Sequence, residues 1–517
     1  MKNKDIENEE TTKEKRKKPG KQDKISAKEE KKRRQALIKK KKEHIKRVKT
    51  IDRQIYILGG IFIFGFIAIA VHVGLYIQNE SETAINNSYN TRSKVLEQTI
   101  QRGEIYDRNN NILAQTIINE DGTYYRQYPY NELFCHVVGS YDHGKMGLEL
   151  YENYTMLGYK ETLSKALSSD LSGNKIKGNS IVTTLDADLQ KLCHDALGDY
   201  EGAVVVSNPK TGEILAMVSK PDFDPNTISQ NWDTINADTR SVLLNRATKG
   251  LYAPGSTFKI VTLTEYIREH KDNYNDYNYV CSGSDTFNNA KIGCFHGEVH
   301  GSVDLEKSIA HSCNCSFANM GVNSSASSFR NTVEGFLFNQ NLAINDFDIS
   351  ASSFKMDDNA NEEEKVQCAI GQGTTLLTPL QNLMIISAVA NKGTIMKPYV
   401  VDKVISSEGN IVKQNEPVAL TTSAMTKEEA DEVAKLLCSV CEYGTGKELS
   451  SLPFKCAGKT GSAEFSGSGE SHAWFVGFAP YDDPQIAVSI IVEKQGTGSK
   501  YAVPIARKIF ESALKEK

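Results

Sequence analysis

The sequence predicts one membrane-crossing helix followed by a body of α+β class, an antiparallel sheet with helices packed on it. Three observations predict this. Residues 55–77 are 23 consecutive positions without Asp, Glu, Lys or Arg. Strand patterns open and close the stretch 181–515, and helical patterns fill its middle. Charge is also divided along the chain. Residues 1–54 hold 22 Lys/Arg against 10 Asp/Glu, a net of +12, and residues 55–517 hold 39 against 55, a net of −16.

That division excludes a uniformly basic nucleic-acid binder, because the basic charge is confined to one end. Ten cysteines in 517 residues are too sparse for a disulfide-stapled scaffold. A hydrophobic content of 39% with 24% charged residues permits a large core.

Residues 1–54 are polar and lysine-rich, with Lys39 to Lys42 unbroken. Such a segment buries too little apolar area to offset ordering entropy and is expected to be a disordered tail. A basic helix over 31–49 lying on anionic lipid is the alternative. The run Ile55 to Ile77 reaches roughly 35 Å as a helix, enough to cross a hydrocarbon core of about 30 Å. Lys46, Arg47, Lys49 and Arg53 flank its entry, and Glu80 and Glu82 its exit. The positive-inside rule then predicts a single-pass cell-membrane protein with a cytoplasmic N-terminus and residues 78–517 outside. His72, near the outer end of the span, is expected to snorkel to the interface.

Residues 78–178 read as a small pedestal. Arg102-Gly103-Glu104-Ile105-Tyr106-Asp107-Arg108, then Asn109 to Asn111, then Ile112-Leu113-Ala114 predict strand, turn, strand. The linker-like segment Leu171 to Ser180 closes this region, and residues 179–517 form the main domain. There Ile181 to Leu185 reads as a strand, and Asp186 caps a helix running through Leu197. Ala203 to Val206 and Ile214 to Val218 flank Asn208-Pro209-Lys210-Thr211-Gly212, a hairpin signature. Helices are expected at 257–268, 303–311, 316–321, 379–391 and 426–443, the last opened by Thr426 and Glu429 in capping-box spacing. Acidic Asp357 to Glu364 reads as a loop. Strands at 473–478 and 486–493, the latter alternating, precede a closing helix at 503–515.

The chemistry centres on Pro254-Gly255-Ser256-Thr257-Phe258-Lys259, which leads into an apolar helix. Positions i and i+3 share a helix face, so Lys259 lies one turn below Ser256. A serine hydroxyl is a weak nucleophile until a neighbouring base takes its proton, and a buried lysine with a lowered pKa can do so. Ser-x-x-Lys alone is weak, and it recurs at Ser172–Lys175 and Ser352–Lys355 without an apolar helix behind it. Lys-Thr-Gly occurs at Lys210, inside the hairpin turn, and at Lys459-Thr460-Gly461, followed by Ser462 and strands. Ser-x-Asn occurs at Ser88, Ser172 and Ser229 as well as at Ser312-Cys313-Asn314.

The ordered set Ser256/Lys259, Ser312/Asn314, Lys459/Thr460/Gly461 resembles the three-motif signature of penicillin-binding proteins and serine β-lactamases. The resemblance extends to Arg102 through Arg108, Gly147-Leu148-Glu149, Gly371-Gln372-Gly373, Thr378-Pro379-Leu380-Gln381 and His472 through Phe478. It covers roughly residues 100 to 510 and is most similar to compact class B members of the penicillin-binding protein A type, with a dimerisation-like pedestal. Cys313 departs from the middle residue of many relatives, at a position expected either to point away from the site or to tolerate variation.

The resemblance implies a peptidoglycan D,D-transpeptidase inhibited covalently by β-lactams. Ser256 would attack the penultimate D-alanine carbonyl of a stem peptide, with Lys259 as its base. Ser312 would relay a proton to the leaving amine, and Asn314 would hold the substrate amide. Lys459 would supply positive charge, and Thr460 would bind the substrate carboxylate beside Gly461. The backbone N–H groups of Ser256 and Ser462 would form an oxyanion hole, worth about 3–4 kcal/mol per donor elsewhere. No cofactor and no metal is implied. The interval between span and transpeptidase is too short for a glycosyltransferase domain, so strand polymerisation would fall to a partner such as a SEDS-family membrane glycosyltransferase.

Cys438 and Cys441 fall inside a helix and read as buried thiols rather than half a zinc site. Cys281 and Cys294 bracket a Gly/Asn-rich loop and are a candidate disulfide. Three rival functions share these motifs: a D,D-carboxypeptidase, a membrane-bound β-lactamase or β-lactam sensor, and an inactive scaffold of the wall-building complex.

Overall fold

The structure, a computed structural model, describes residues 21–85, 100–158, 176–465 and 470–515. It divides into two units between Ala84 and Ile85. The first is one helix, Lys21–Ile85. Its segment Lys28–Tyr76 contains the one stretch among the described residues that is long and apolar enough to cross a membrane. Phe62, Phe64 and Phe66 on it are 61%, 73% and 71% exposed, a surface that water penalises and hydrocarbon accepts.

The expectation of a disordered tail is corrected over residues 21–54, which are helical. No Gly or Pro falls between Gly20 and Gly59, and Lys, Arg, Glu, Gln and Ala, all good helix formers, dominate there. The apolar helix extends into this stretch without a new nucleus. Residues 1–20 lie outside the described residues, as do Ser88, Ser172 and Lys175 of the weaker motif matches.

The second unit is built on two sheets. The antiparallel sheet expected from sequence has five strands in the order Ala457–Glu464, Ser471–Ala479, Ile486–Val492, Gly202–Ser207, Ile214–Lys220. Ile486–Val492 is buried on both faces rather than alternately. Its Val488, Ile490 and Val492 join Ala502, Ile505 and Ile509 of the closing helix Gly498–Ala513. Its Ala487 and Ile491 join the core that contains Leu380, Leu383 and Ile386 of the wholly buried helix Pro379–Ala390. Helices therefore cover both faces of the sheet.

The expected helices form at Ala187–Leu197, Lys259–Glu269, Leu305–Ala310, Asn314–Asn323, Pro379–Ala390 and Lys427–Glu442. Asp186 caps the first through the N–H groups of Asp188 and Leu189, and Thr426 with Glu429 forms the predicted capping box. The acidic loop reading holds only to Asn361. Asn361 and Glu364 make a second capping box that starts the helix Glu362–Ala369, with acidic side chains at its positive end. Helices Ile228–Ala237 and Ala326–Gly335 were not anticipated.

The second sheet runs Ile411–Gln414, Val401–Ile405, Ser180–Thr183, Ile105–Tyr106, Ile112–Ile118, Tyr124–Gln127. The predicted strand, turn, strand is present, with Asp107 Oδ1 accepting from the N–H groups of Asn109 and Asn111 at 2.8 and 2.7 Å. Ile105 also pairs in parallel with Ile181, so this sheet crosses the boundary expected at residue 178. Pedestal and main domain share one hydrophobic core, in which Ile105, Leu113 and Leu148 join the same cluster as Ile181, Val205 and Ile260.

The conspicuous pedestal motifs meet at a buried carboxylate. Glu149 accepts from Arg102 Nε at 2.5 Å and from Arg126 Nε at 2.7 Å, with both arginines buried. Burial pushes the Glu149 carboxyl up, but the two guanidinium groups overcome it and hold it below its ordinary range.

Candidate active site

The turn Gly255–Phe258 places Ser256 at the head of the helix Lys259–Glu269. Phe258 anchors the turn in the core, its ring 5.8 Å from that of Phe338 and 5.7 Å from that of Phe354. Gly255 has φ +54°, and a Cβ there would stand 2.8 Å from Ser462 O. Its N–H donates to Gly371 O at 2.9 Å. A Cβ on Gly461 would stand 3.0 Å from Thr257 Cγ2. Only residues without side chains let the Ser256 turn lie this close to the Lys459–Ser462 strand. The strand register, Lys459 opposite Val476 and Gly461 opposite Trp474, fixes that segment at the edge of the five-stranded sheet.

The Ser312–Asn314 motif lies between two helices. Ser312 follows Leu305–Ala310 and has φ +58°, an unusual backbone for a residue with a side chain. Cys313 N–H donates to Ser308 O at 2.9 Å, and Cys313 caps the helix Asn314–Asn323.

The structure brings the motifs together at Ser312. Lys259 Nζ donates to Ser312 O at 2.8 Å, to Ser312 Oγ at 3.3 Å and to Asn314 Oδ1 at 2.7 Å. Lys459 Nζ donates to Ser312 Oγ at 2.9 Å and to Thr460 O at 3.0 Å. An ammonium has three donors, so these bonds commit all of Lys259's to the Ser312–Asn314 motif and none to Ser256. Asn314 Nδ2 donates to Gly293 O at 2.9 Å.

Both amines are fully buried. Burial lowers the Lys259 amine from 10.5 to about 8. Burial first, and then the charge of Lys259, hold Lys459 well below its ordinary range. A neutral lysine has two donors and one lone pair. Loss of a proton frees Lys259 from its longest bond, the one to Ser312 Oγ, and leaves a base one helical turn from Ser256.

The duplicate motifs separate cleanly. Lys210 to Gly212 is a hairpin turn, with Lys210 on the surface bonded to Asp483 and Gly212 at φ +84°. Ser352 is 2% exposed and its Oγ has no hydrogen-bond partner among the described residues. Ser229 lies on the helix Ile228–Ala237.

Sequence reading missed several supports of the site. Thr445 Oγ1 and Thr460 Oγ1 share a 2.6 Å hydrogen bond. Asn382 Nδ2 donates to Thr257 Oγ1 at 3.0 Å, and Thr257 Oγ1 donates to Pro254 O at 2.9 Å. Gly371 was recognised only as part of a family segment. Its φ of +73° and the 2.2 Å that would separate its Cβ from Gly255 O explain the glycine. Cys313 is buried, and its sulfur lies 3.7 Å from that of Cys294. Cys281 and Cys294 are free thiols with sulfurs 3.6 Å apart, not a disulfide. Cys438 and Cys441 are buried on their helix.

This geometry can be set beside known proteins. Residues 202–511 match the family model described as penicillin binding protein transpeptidase domain. Residues 102–181 match the penicillin binding protein A dimerisation domain. The chain is 28% identical over 486 residues to the peptidoglycan D,D-transpeptidase PbpA of Mycolicibacterium smegmatis, covering 87% of this chain and 98% of that one. It is 29% identical over 422 residues to the stage V sporulation protein D of Bacillus subtilis, covering 76% of this chain and 64% of that one. Among solved structures, the penicillin G acyl-enzyme of penicillin-binding protein A from Mycobacterium tuberculosis superposes with a TM-score of 0.74 at 26% identity, covering 80% of this chain and 100% of that one. The D,D-transpeptidase domain of a peptidoglycan glycosyltransferase from Eggerthella lenta gives 0.72 at 31% identity, covering 81% and 99%. With the family model spanning more than half its length and three motifs joined at one serine, the chain belongs to the penicillin-binding protein transpeptidase family.

Proposed function

We propose that this chain is a peptidoglycan D,D-transpeptidase that works through a serine acyl-enzyme and is blocked covalently by β-lactams. The observation that carries the reading is the convergence of Lys259 and Lys459 on Ser312 Oγ behind the Ser256 turn. Neutral Lys259 takes the Ser256 proton, and Ser256 Oγ attacks the penultimate D-alanine carbonyl of a stem peptide. The backbone N–H groups of Ser256 and Ser462 receive the oxyanion. Ser312 passes a proton to the leaving D-alanine amine, with Lys459 setting the charge beside it. Asn314 and Thr460 hold the substrate's amide and carboxylate, and Gly461 leaves room for its backbone. An amine from a second stem peptide then attacks the ester, restores Ser256 and forms the cross-link.

The long apolar helix supports a membrane anchor, and the basic residues before it support a cytoplasmic N-terminus with the catalytic unit outside. The basic stretch would meet anionic lipid, and strand polymerisation would be supplied by a SEDS-family glycosyltransferase. The experiment is covalent labelling with a fluorescent penicillin. Ser256→Ala should abolish labelling, and Ser352→Ala should leave it intact. The reverse result sinks the assignment. Product analysis with and without an amine acceptor distinguishes cross-linking from carboxypeptidase activity.

A further inference from the structure

The strand Ala457–Glu464 lies at the edge of its sheet and pairs only with Ser471–Ala479 among the described residues. Its other side is left for an added chain. Side chains alternate along a strand, so Thr460, Ser462 and Glu464 share one face. Thr460 is buried, Ser462 half-buried and Glu464 exposed. Glu464 enters no salt bridge among the described residues. The charges nearby are already taken. Glu493 accepts from Arg246 Nε and from the Tyr252 hydroxyl at 2.7 Å each, and Lys494 Nζ lies 3.5 Å from Glu201 Oε2.

Phe465 follows the strand directly. Its ring stacks on His472 at 4.3 Å and 18° and is 40% exposed, so one face is backed and the rest is open to solvent. His472 is buried and pinned. Its Nδ1 accepts from Lys494 N–H at 3.2 Å, and its ring meets Tyr252 edge-on at 5.4 Å. His472 pairs with Ala463, so the ring stack flanks the strand edge from the face opposite to that of Glu464. An exposed carboxylate with a rigidly backed aromatic ring beside it suits an ammonium ion. The carboxylate attracts its charge, and the ring face attracts it through the quadrupole.

The reaction fixes which ammonium arrives there. In the proposed mechanism Thr460 takes the carboxylate of the leaving D-alanine and the Ser462 N–H takes the oxyanion. The acyl part of the donor then continues along the strand toward Glu464. At about 3.4 Å per residue, Glu464 stands about 7 Å beyond Ser462. Cross-linking needs an amine on the acceptor stem. Donor and acceptor are stems of one polymer, so the donor carries the same amine. A D-alanine side chain is only a methyl, so that amine lies further in, on the acyl side. We propose that Glu464 and Phe465 form a subsite for the side-chain ammonium of the donor stem peptide, an inference that rests on the transpeptidase reading. The subsite selects donors whose amine is free. The ion pair also keeps that amine protonated, and a protonated amine has no lone pair with which to attack the Ser256 ester.

The test uses the full chain in detergent and synthetic donor peptides ending in D-alanyl-D-alanine. A lysine directly before that pair carries its amine free, acetylated or succinylated. The kcat/KM for D-alanine release reports the steps through acylation, before an acceptor attacks. Wild type should prefer the free donor over the acetylated one about 5- to 10-fold, and rising salt should shrink that preference. Glu464→Gln should reduce it to about twofold, and Glu464→Lys should reverse it in favour of the succinylated donor. Phe465→Ala should reduce it about two- to threefold, and Phe465→Tyr should keep it. Glu120→Gln, at an exposed carboxylate of the pedestal, should keep it in full. Equal wild-type rates on free and acetylated donors, or a preference unchanged in Glu464→Gln, overturns the subsite and leaves the transpeptidase reading standing. A preference lost in Glu120→Gln overturns the assignment to Glu464, and one kept in full in Phe465→Ala overturns the aromatic half. Wild type that releases no D-alanine from any donor overturns the transpeptidase reading, and the subsite falls with it.

Discussion

The burial of Lys259 makes a prediction about pH. Its amine is lowered from 10.5 to about 8, a shift equivalent to roughly 3.4 kcal/mol against the charged form. At pH 7 about one lysine in ten is then neutral, against about one in three thousand without the shift, a gain of roughly 300-fold in available base. If neutral Lys259 activates Ser256, acylation by a penicillin should rise about ninefold from pH 6 to 7 and about fivefold from pH 7 to 8 before levelling. The assay is the second-order rate of fluorescent penicillin labelling of the full chain across this range, with circular dichroism confirming that the protein stays folded. Lys259→Arg, which keeps a fixed charge, should fall by orders of magnitude and lose the inflection. A rate flat from pH 6 to 9, or one still climbing above pH 10, would refute the reasoning. An inflection that persists in Lys259→Arg and vanishes in Lys459→Arg would move the base to Lys459.

Further outcomes follow from the same contacts. Glu149→Ala strands two buried guanidinium groups and should cost about 3–5 kcal/mol, read as a lower denaturation midpoint of the wild-type unfolding transition. Because Glu149 is held below its ordinary 4.5, its contribution is fully present above that pH. It is lost as pH falls through the depressed value, so the difference between variant and wild type should shrink in acid. Gly371→Ala would place a Cβ 2.2 Å from Gly255 O and should shift the Ser256 turn, lowering acylation about 100-fold with secondary structure intact. Thr445→Val removes the partner of Thr460 Oγ1 and should cost about 1–3 kcal/mol, measured as slower penicillin acylation at unchanged pH dependence.

What could be read in advance follows from range. The capping pairs Thr426/Glu429 and the hairpin around Gly212 are set by residues within a few positions of each other, and both appear as expected. The same local logic should have found the Asn361/Glu364 box, but the acidic run around it was read as solvated polarity. The tail was misjudged over 21–54 because composition measures burial, whereas a helix already nucleated in the apolar span needs only propensity to continue. The boundary at 178 is crossed by the second sheet for a different reason. Linker composition marks where a chain is locally unpatterned and says nothing of strands that pair across it, as Ile105 does with Ile181. Arg102 and Glu149 stood out individually, but their joint role with Arg126 in one buried ion network depends on folding.

The site shows the same limit at its centre. Ser256 and Lys259 are neighbours on a turn and were legible as a pair. Lys459 is 147 residues from Ser312, and no spacing rule connects them. Their meeting gives Ser312 a property that neither motif has alone. A hydroxyl has one proton and two lone pairs. With both lysines charged, each donates to one lone pair, and the Ser312 proton must point elsewhere. When one lysine is neutral, its lone pair becomes an acceptor and the Ser312 proton can turn to it. In the proposed mechanism Ser312 is thus a relay whose direction is set by which lysine holds the charge, and burial of both amines lowers the cost of the neutral form in each. The fold brings together two like charges that water would keep apart and places a serine between them, with one of the two lysines, Lys259, a single helical turn from Ser256.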